Sequence, residues 1–115
     1  MATPSQMRLT AGLWVAAYLN RLRLANLPAY VMARGDATAG AVLVKVATLD
    51  GQAVIHERRF DLDRDARIWQ VMAQGAEPDM DALLTRARGR DPDLWIIEIE
   101  DRAGRSLLEE GGLSD

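Results

Sequence analysis

No cysteine occurs in this chain. That removes disulfides, thiolate zinc sites and thiol nucleophiles together, and it suits a reducing compartment. A single histidine, His56, rules out a paired-histidine metal site. Lysine is as scarce: of fourteen cationic side chains thirteen are arginine, and only Lys45 is lysine. A GC-rich coding sequence is the plain account of that bias. No surplus of positive charge is present either. The net charge is −3, which argues against nucleic acid as a partner, because counterion release needs a basic surface. Glycine-rich phosphate loops and dinucleotide fingerprints are absent, and Ser5, Ser106 and Ser114 have no triad-like surroundings. Long hydrophobic runs are missing as well. Leu9 to Leu19 is apolar with Arg8 before it, but it is too short to span a bilayer. It lacks a small-x-small cleavage site and runs on into Asn20-Arg21-Leu22-Arg23 with helical spacing. The expectation is a cytoplasmic protein with no membrane association.

What is present is the composition of a folded chain. Of 115 residues, 49% are hydrophobic and 27% charged, enough for one domain over 1–115 with its own core. Residues 1–7 and 111–115 are expected to be loose. The longest β-branched run, Ala39 to Leu49, ends in Asp50-Gly51, a strong hairpin signal. It predicts a central strand, with Ala29–Arg34 before it and Ala53–Phe60 after it, as a three-stranded antiparallel meander. If Asp50 and Gly51 are the two turn residues, Lys45 pairs with His56, Leu43 with Arg58 and Ala47 with Val54. Val42, Val44, Val46 and Ile55 then make the core face.

Helical spacing marks Thr10 to about Leu27, with Thr10 as cap and Pro28 as stop. Leu13, Ala17 and Leu24 fall on one side, and Trp14, Tyr18 and Leu22 widen it, although Gly12 and Trp14-Val15 leave a strand start open. Asp63 is a candidate cap for a helix through Ile68, Trp69, Val71 and Met72, stopped by Gly75. Asp79 is a candidate cap for another through Met80, Leu83, Leu84 and Ala87. Leu94–Glu100 reads as a strand, and Leu107-Leu108 as a short last element. The predicted class is α+β: an N-terminal helix, the meander, two helices and a C-terminal strand, with the helices on one face of the sheet.

Three groups offer chemistry. Lys45, His56 and Arg58, on the face away from the valines, form a cationic cluster able to bind an anion and keep His56 neutral as a base. Glu98, Glu100 and Asp101, with Asp91 and Asp93 upstream, are candidate metal ligands or acid–base residues. Glu98 and Glu100 share a strand face, and ordinary alternation against Trp95, Ile97 and Ile99 also explains them. Arg86, Arg88 and Arg90, beside Arg34, Arg58 and Arg59, suit phosphate, but Phe60 alone is a meagre stacking surface. Trp14, Trp69 and Trp95 read as core anchors, one for each packed element.

Three passages carry a resemblance: GLWVAAYLNR at Gly12–Arg21, AGAVLVKV with LDG at Ala39–Gly51, and DPDLWIIEIEDRAGR at Asp91–Arg105. Together they resemble an uncharacterised alphaproteobacterial family of small proteins, a domain of unknown function, over Met7 to Leu108. The resemblance implies a small bacterial protein and brings no assigned activity or catalytic residues. No cofactor is expected. The leading expectation is a protein that works through protein contacts, as a homo-oligomer or accessory subunit. The alternative is an enzyme or anion- or metal-binding module built on Lys45, His56 and Arg58 or on Glu98, Glu100 and Asp101.

Overall fold

A computed structural model describes residues 9–111 and 113. The expected loose ends, residues 1–7 and 111–115, lie outside the described residues except for 111 and 113. In chain order the elements are α1 (Ala11–Leu24), β1 (Ala29–Ala33), β2 (Val42–Ala47), β3 (Gln52–Asp61), β4 (Ala66–Ala76), α2 (Glu77–Arg90) and β5 (Trp95–Glu100). The strands make one mixed sheet in the order β1-β5-β2-β3-β4, in which only β2 and β5 run parallel. The class is α+β, as expected, but the arrangement differs in four respects, each with a physical cause.

First, β1 does not pair with β2, because β5 lies between them. The two most apolar strands, VLVKVA and WIIEIE, take neighbouring inner positions where both faces are covered. The meander is instead β2-β3-β4. Second, the segment expected to be a helix through Trp69 is β4, paired with β3 from Asp61↔Ala66 to Gln52↔Ala76. Ile68, Trp69 and Val71 are strand formers, and the long hairpin with β3 lets Trp69 pack against the α1-side core while Val71 stays exposed. Asp63 caps no helix; its backbone N–H donates to Asp61 Oδ1 at 3.0 Å inside the hairpin loop.

Third, the register of β2 and β3 is one residue away from the expected one. Leu49 adopts a left-handed φ of 62° and Gly51 one of 87°, so the loop holds three residues, not two. Asp50 Oδ1 ties it together, accepting from Thr48 Oγ1 at 2.6 Å and Gln52 N at 3.1 Å. Lys45 therefore pairs with Ile55, and His56 with Val44. A one-residue slip moves side chains to the opposite face, so Ile55 joins the Lys45 face.

Fourth, the helices cover opposite faces. α1 lies on the face of Val42, Val44 and Val46, burying Trp14, Val15, Tyr18 and Leu22 against them together with Trp95, Ile97 and Ile99. The valine-face core is as expected, but Leu13 and Leu24 point to solvent. α2 lies on the other face, where Met80 and Leu84 meet Leu43, Ala53, Ile55 and Ile96. Its cap is Ala76, not Asp79, and Pro78 occupies the first turn, where its fixed φ suits helix entry. Leu107 and Leu108 belong to no helix or strand and pack against the α1 side.

The loop from Arg34 to Ala41 locks these pieces together. Its Ala37 and Thr38 carbonyls accept from Gly12 N at 2.8 Å and Ala11 N at 3.1 Å, satisfying first-turn donors of α1. Asp36 O accepts Trp95 Nε1 at 2.8 Å, and Asp36 N donates to Asp93 O at 3.0 Å. The approach demands glycine: a Cβ at Gly40 would lie 2.3 Å from Asp93 O.

Candidate functional site

Lys45 sits at the centre of the α2 face and is 2% exposed. Its ammonium donates to Glu77 Oε2 at 2.8 Å, Asp81 Oδ1 at 2.6 Å and Glu98 Oε1 at 2.9 Å. Glu98 comes to this position because it is the register partner of Lys45 across the parallel β2–β5 ladder. Glu77 and Asp81 come from α2, four residues apart and hence on one helix face. Burial works against the charged amine, but the three hydrogen bonds outweigh it and hold Lys45 above its ordinary range. The three carboxylate oxygens lie within 4.8 Å of one another, a spacing able to hold a metal ion. The lysine ammonium already stands in the cation's place.

The two residue groups expected from the sequence are therefore dispersed. His56 and Arg58 lie on the α1 face, opposite Lys45, so the cationic cluster does not form. The one-residue slip is the reason. The Arg58 guanidinium stacks 5.3 Å from Trp14 and 5.5 Å from Trp69. Those two tryptophans also stack on each other at 5.4 Å, so they anchor one shared contact rather than separate elements. Among the acids, Glu98 and Glu100 do share a face, yet each has its own partner. Tyr30 Oη donates to Glu100 Oε1 at 3.1 Å, which raises the phenol's pKa. Asp101 turns away to Arg105, whose Nε and Nη2 donate to it at 3.0 Å each and hold its carboxyl below the usual range. The arginines do not gather either; Arg88 Nη2 donates to the Arg34 carbonyl at 2.9 Å.

Glu77 and Asp81 were missed by sequence reasoning. The available signal was their spacing of four on a helix, together with an unpaired lone lysine on the most buried strand.

Two concave surfaces flank the sheet. On the α1 side a cleft of about 520 Å³ runs between Tyr18, Trp69, His56 and the segment Ser106–Glu110. That segment is tied down by Tyr18 Oη, which donates to Ser106 O at 2.6 Å, and by Arg21, which donates to Glu110 O at 3.0 Å and Gly111 O at 2.6 Å. Burial raises the Tyr18 phenol and lowers the His56 imidazole, with Glu109 opposing the latter shift. On the α2 side a groove of about 520 Å³ lies between α2 and the edge strand β1. Met32, Leu84 and Ile96 line it, Asp81 and Glu98 close one end, and Arg88 and Gly89 the other.

α2 covers Leu43, Ala53, Ile55 and Ile96 with Met80 and Leu84, and the groove lies beside it where the outer strand β1 extends past the helix. Tyr30 and Met32 are 49% and 60% exposed there. Both outer strands carry a register irregularity, β1 between Val31 and Ala33 and β4 opposite Ile55 and His56. Such bulges discourage edge-to-edge pairing. The groove, not the strand edge, is the available surface. Among the described residues, no helix is long and apolar enough to cross a membrane.

Comparison with known proteins agrees with this fold. A crystal structure of a DUF1491 family protein from Caulobacter crescentus CB15 is similar at TM-score 0.78 and 42% identity, covering 90% of this chain and 96% of that one. An NMR structure of a DUF1491 family protein from the same organism matches at TM-score 0.77 and 43% identity, with the same coverage. A solution structure of an A. tumefaciens protein matches at TM-score 0.70 and 28% identity, covering 93% of this chain and 99% of that one. These organisms fit the alphaproteobacterial resemblance. No curated protein matches. The DUF1491 profile, described as a protein of unknown function, matches residues 9–109, and the chain belongs to that family.

Proposed function

We propose that this protein is a non-catalytic, cytoplasmic binding module that holds a protein partner in the groove between α2 and β1. One observation carries the reading: an apolar strip of Met32, Leu84 and Ile96 lies beside the carboxylates of Asp81 and Glu98 in an open groove between α2 and β1. An open groove beside exposed Tyr30 and Met32 is the kind of surface that partners cover. Lys45 and His56 lie on opposite faces of the sheet, so the cationic cluster of Lys45, His56 and Arg58 lends an anion-binding reading no support.

The test compares wild type with Met32→Glu, a substitution at an exposed position that puts a charge in the strip. Both are used to retain partners from the native cell extract and are sized by light scattering over a dilution series. A partner or self-association present in wild type and lost in Met32→Glu, with unchanged thermal unfolding, is the expected result. Equal retention by both proteins would refute it.

A further inference from the structure

We infer that the α1-side cleft is a binding site for a small organic anion, with its carboxylate or phosphate head on Arg64 and Arg67 and its apolar body along Trp69 and Val71. This site is separate from the groove between α2 and β1 and does not depend on it.

The walls of the cleft suit a small molecule. Trp14 and Tyr18 of α1 stand on one side, Trp69 and Val71 of β4 form the floor, and the segment Ser106–Glu110 runs along the other side. Leu107 and Leu108 of that segment pack against the α1-side core and give the wall an apolar surface. The enclosed volume of about 520 Å³ falls within the roughly 300–1,000 Å³ of small-molecule sites, which combine apolar walls with a few converging polar groups. A protein segment is the poorer occupant. It would have to lift Ser106–Glu110, which Tyr18 Oη holds by the Ser106 carbonyl and Arg21 by the Glu110 carbonyl.

Charge and register set the direction of the ligand. Arg67, Trp69 and Val71 are alternate residues of β4 and share a face, opposite Phe60, Arg58 and His56 of β3. Four residues at about 3.3 Å each put Arg67 roughly 13 Å from Val71. Arg64, in the hairpin loop before β4, lines the cleft at the Arg67 end. Asp61 lies 3.6 Å from Arg64 and offsets part of that charge, so Arg67 carries the greater share. The Arg58 guanidinium, over Trp14 and Trp69, adds positive charge beneath the middle of the cleft. The acids stand at the other end. Glu109 accepts from Ser106 Oγ at 3.3 Å and is close enough to shift both Tyr18 and His56, and Glu110 belongs to the same segment. Burial favours the neutral imidazole of His56, so that end offers hydrogen bonds but no cation to compete for the head. A guanidinium presents paired N–H groups that match carboxylate and phosphate. An anion entering the cleft therefore turns its head to Arg64 and Arg67 and lays its body over Trp69 towards Val71.

Titration of the full chain with anilinonaphthalene sulfonate, whose sulfonate stands in for the anionic head, and with uncharged phenylnaphthylamine separates head from body. The sulfonate should bind saturably and roughly tenfold more tightly than the amine, and shift the amide signals of Trp69, Val71 and Leu108. Val71→Glu, at a half-exposed position, should abolish its binding. Arg67→Gln should weaken the sulfonate roughly fivefold and leave the amine unchanged. Arg64→Gln, where 72% of the side chain is exposed, should act in the same direction with unchanged thermal unfolding. Octanoate or octyl phosphate should displace the sulfonate, and the better competitor names the head. Equal affinity for both probes, indifference to both arginine variants, displacement by neither competitor, or no saturable binding by roughly 1 mM would each overturn the inference. So would amide shifts confined to Met32 and Ile96, which would place the probe in the other groove.

Discussion

Replacing Lys45 by methionine isolates the charge of the buried ammonium, since methionine keeps most of the stem's volume. Three hydrogen bonds of 2.6–2.9 Å vanish, and three carboxylates are left facing one another. Removing one partner of a buried ion pair costs about 3–5 kcal/mol. The side chains of Glu77 and Asp81 are 33% and 54% exposed and can turn towards water, whereas Glu98, at 17%, cannot. The loss therefore belongs at the lower end, about 3 kcal/mol, a fall in Tm of roughly 10–20 °C for a chain of this size. Urea and thermal unfolding followed by circular dichroism would measure it. The double variant Lys45→Met, Glu98→Gln should recover part of the loss, because the least solvated charge is gone.

Two further signatures separate a charge effect from simple misfit in the core. Acidification from pH 7 towards pH 5 should narrow the deficit of Lys45→Met, since a proton on one crowded carboxylate relieves the repulsion. Calcium should raise its Tm and leave wild type unmoved. Carboxylate oxygens within 4.8 Å of one another match a cation about 2.4 Å from each, and in wild type the ammonium holds that place. A deficit under about 1 kcal/mol at pH 7, or one indifferent to both pH and calcium, would refute the account of Lys45 as the cation of this cluster.

Three other perturbations read the surrounding framework. Gly40→Ala places a Cβ 2.3 Å from Asp93 O, which must push the loop off the first turn of α1; a loss of roughly 2–3 kcal/mol in urea unfolding is expected, and a neutral result would mean that the loop moves freely. Tyr18→Phe removes the 2.6 Å bond to the Ser106 carbonyl and leaves that acceptor unpaired in the interior, a cost of about 1–3 kcal/mol together with faster amide exchange in Leu107–Glu110. His56→Gln tests the buried imidazole. Burial holds its folded pKa below the ordinary 6.5, so its contribution is present above that value and is lost as pH falls through the folded pKa. Wild type should lose more stability than His56→Gln between pH 7 and pH 5; parallel pH profiles would show that His56 titrates as freely folded as unfolded.

Local signals in this sequence were reliable where one element's own chemistry decides the outcome. Thr10 before the Trp14–Tyr18–Leu22 stripe and the alternation of Trp95, Ile97 and Ile99 each appear as read, whereas α1 ends at Leu24, short of the expected Leu27, with Asn26 at a left-handed φ of 59° ahead of Pro28. The errors fall where a distant partner decides. Ile68-Trp69 beside Val71-Met72 suits helical spacing as well as a strand, and only pairing with β3 selects the strand. Asp50-Gly51 marks the hairpin but not its length; Leu49 at φ 62° adds one residue and sends His56 to the other face. The acids at the end of β5 looked like one cluster because they are close in sequence. Their partners Tyr30, Lys45 and Arg105 come from separate places in the fold, and no spacing rule could reveal the distribution.

The position of Lys45 has a consequence for how the sheet is specified. β2 is buried along its whole length, so apolar burial alone fixes its register weakly: Val42, Leu43, Val44 and Val46 would be covered on either face. A lysine in the middle of such a strand has only one acceptable neighbourhood. A slip by one residue would drive its ammonium among Trp95, Ile97 and the aromatic stripe of α1, with no carboxylate to meet it. The correct register places it beside Glu98 on one strand and below Glu77 and Asp81 on the helix, so a single side chain aligns β2, β5 and α2 together. An all-apolar replacement of comparable volume can match or exceed a buried ion cluster in stability, which makes alignment, rather than stability, the contribution peculiar to Lys45. The same arrangement leaves two uncompensated negative charges at the mouth of the groove. The residue that orders the sheet thereby also sets the charge that a partner in the groove would meet.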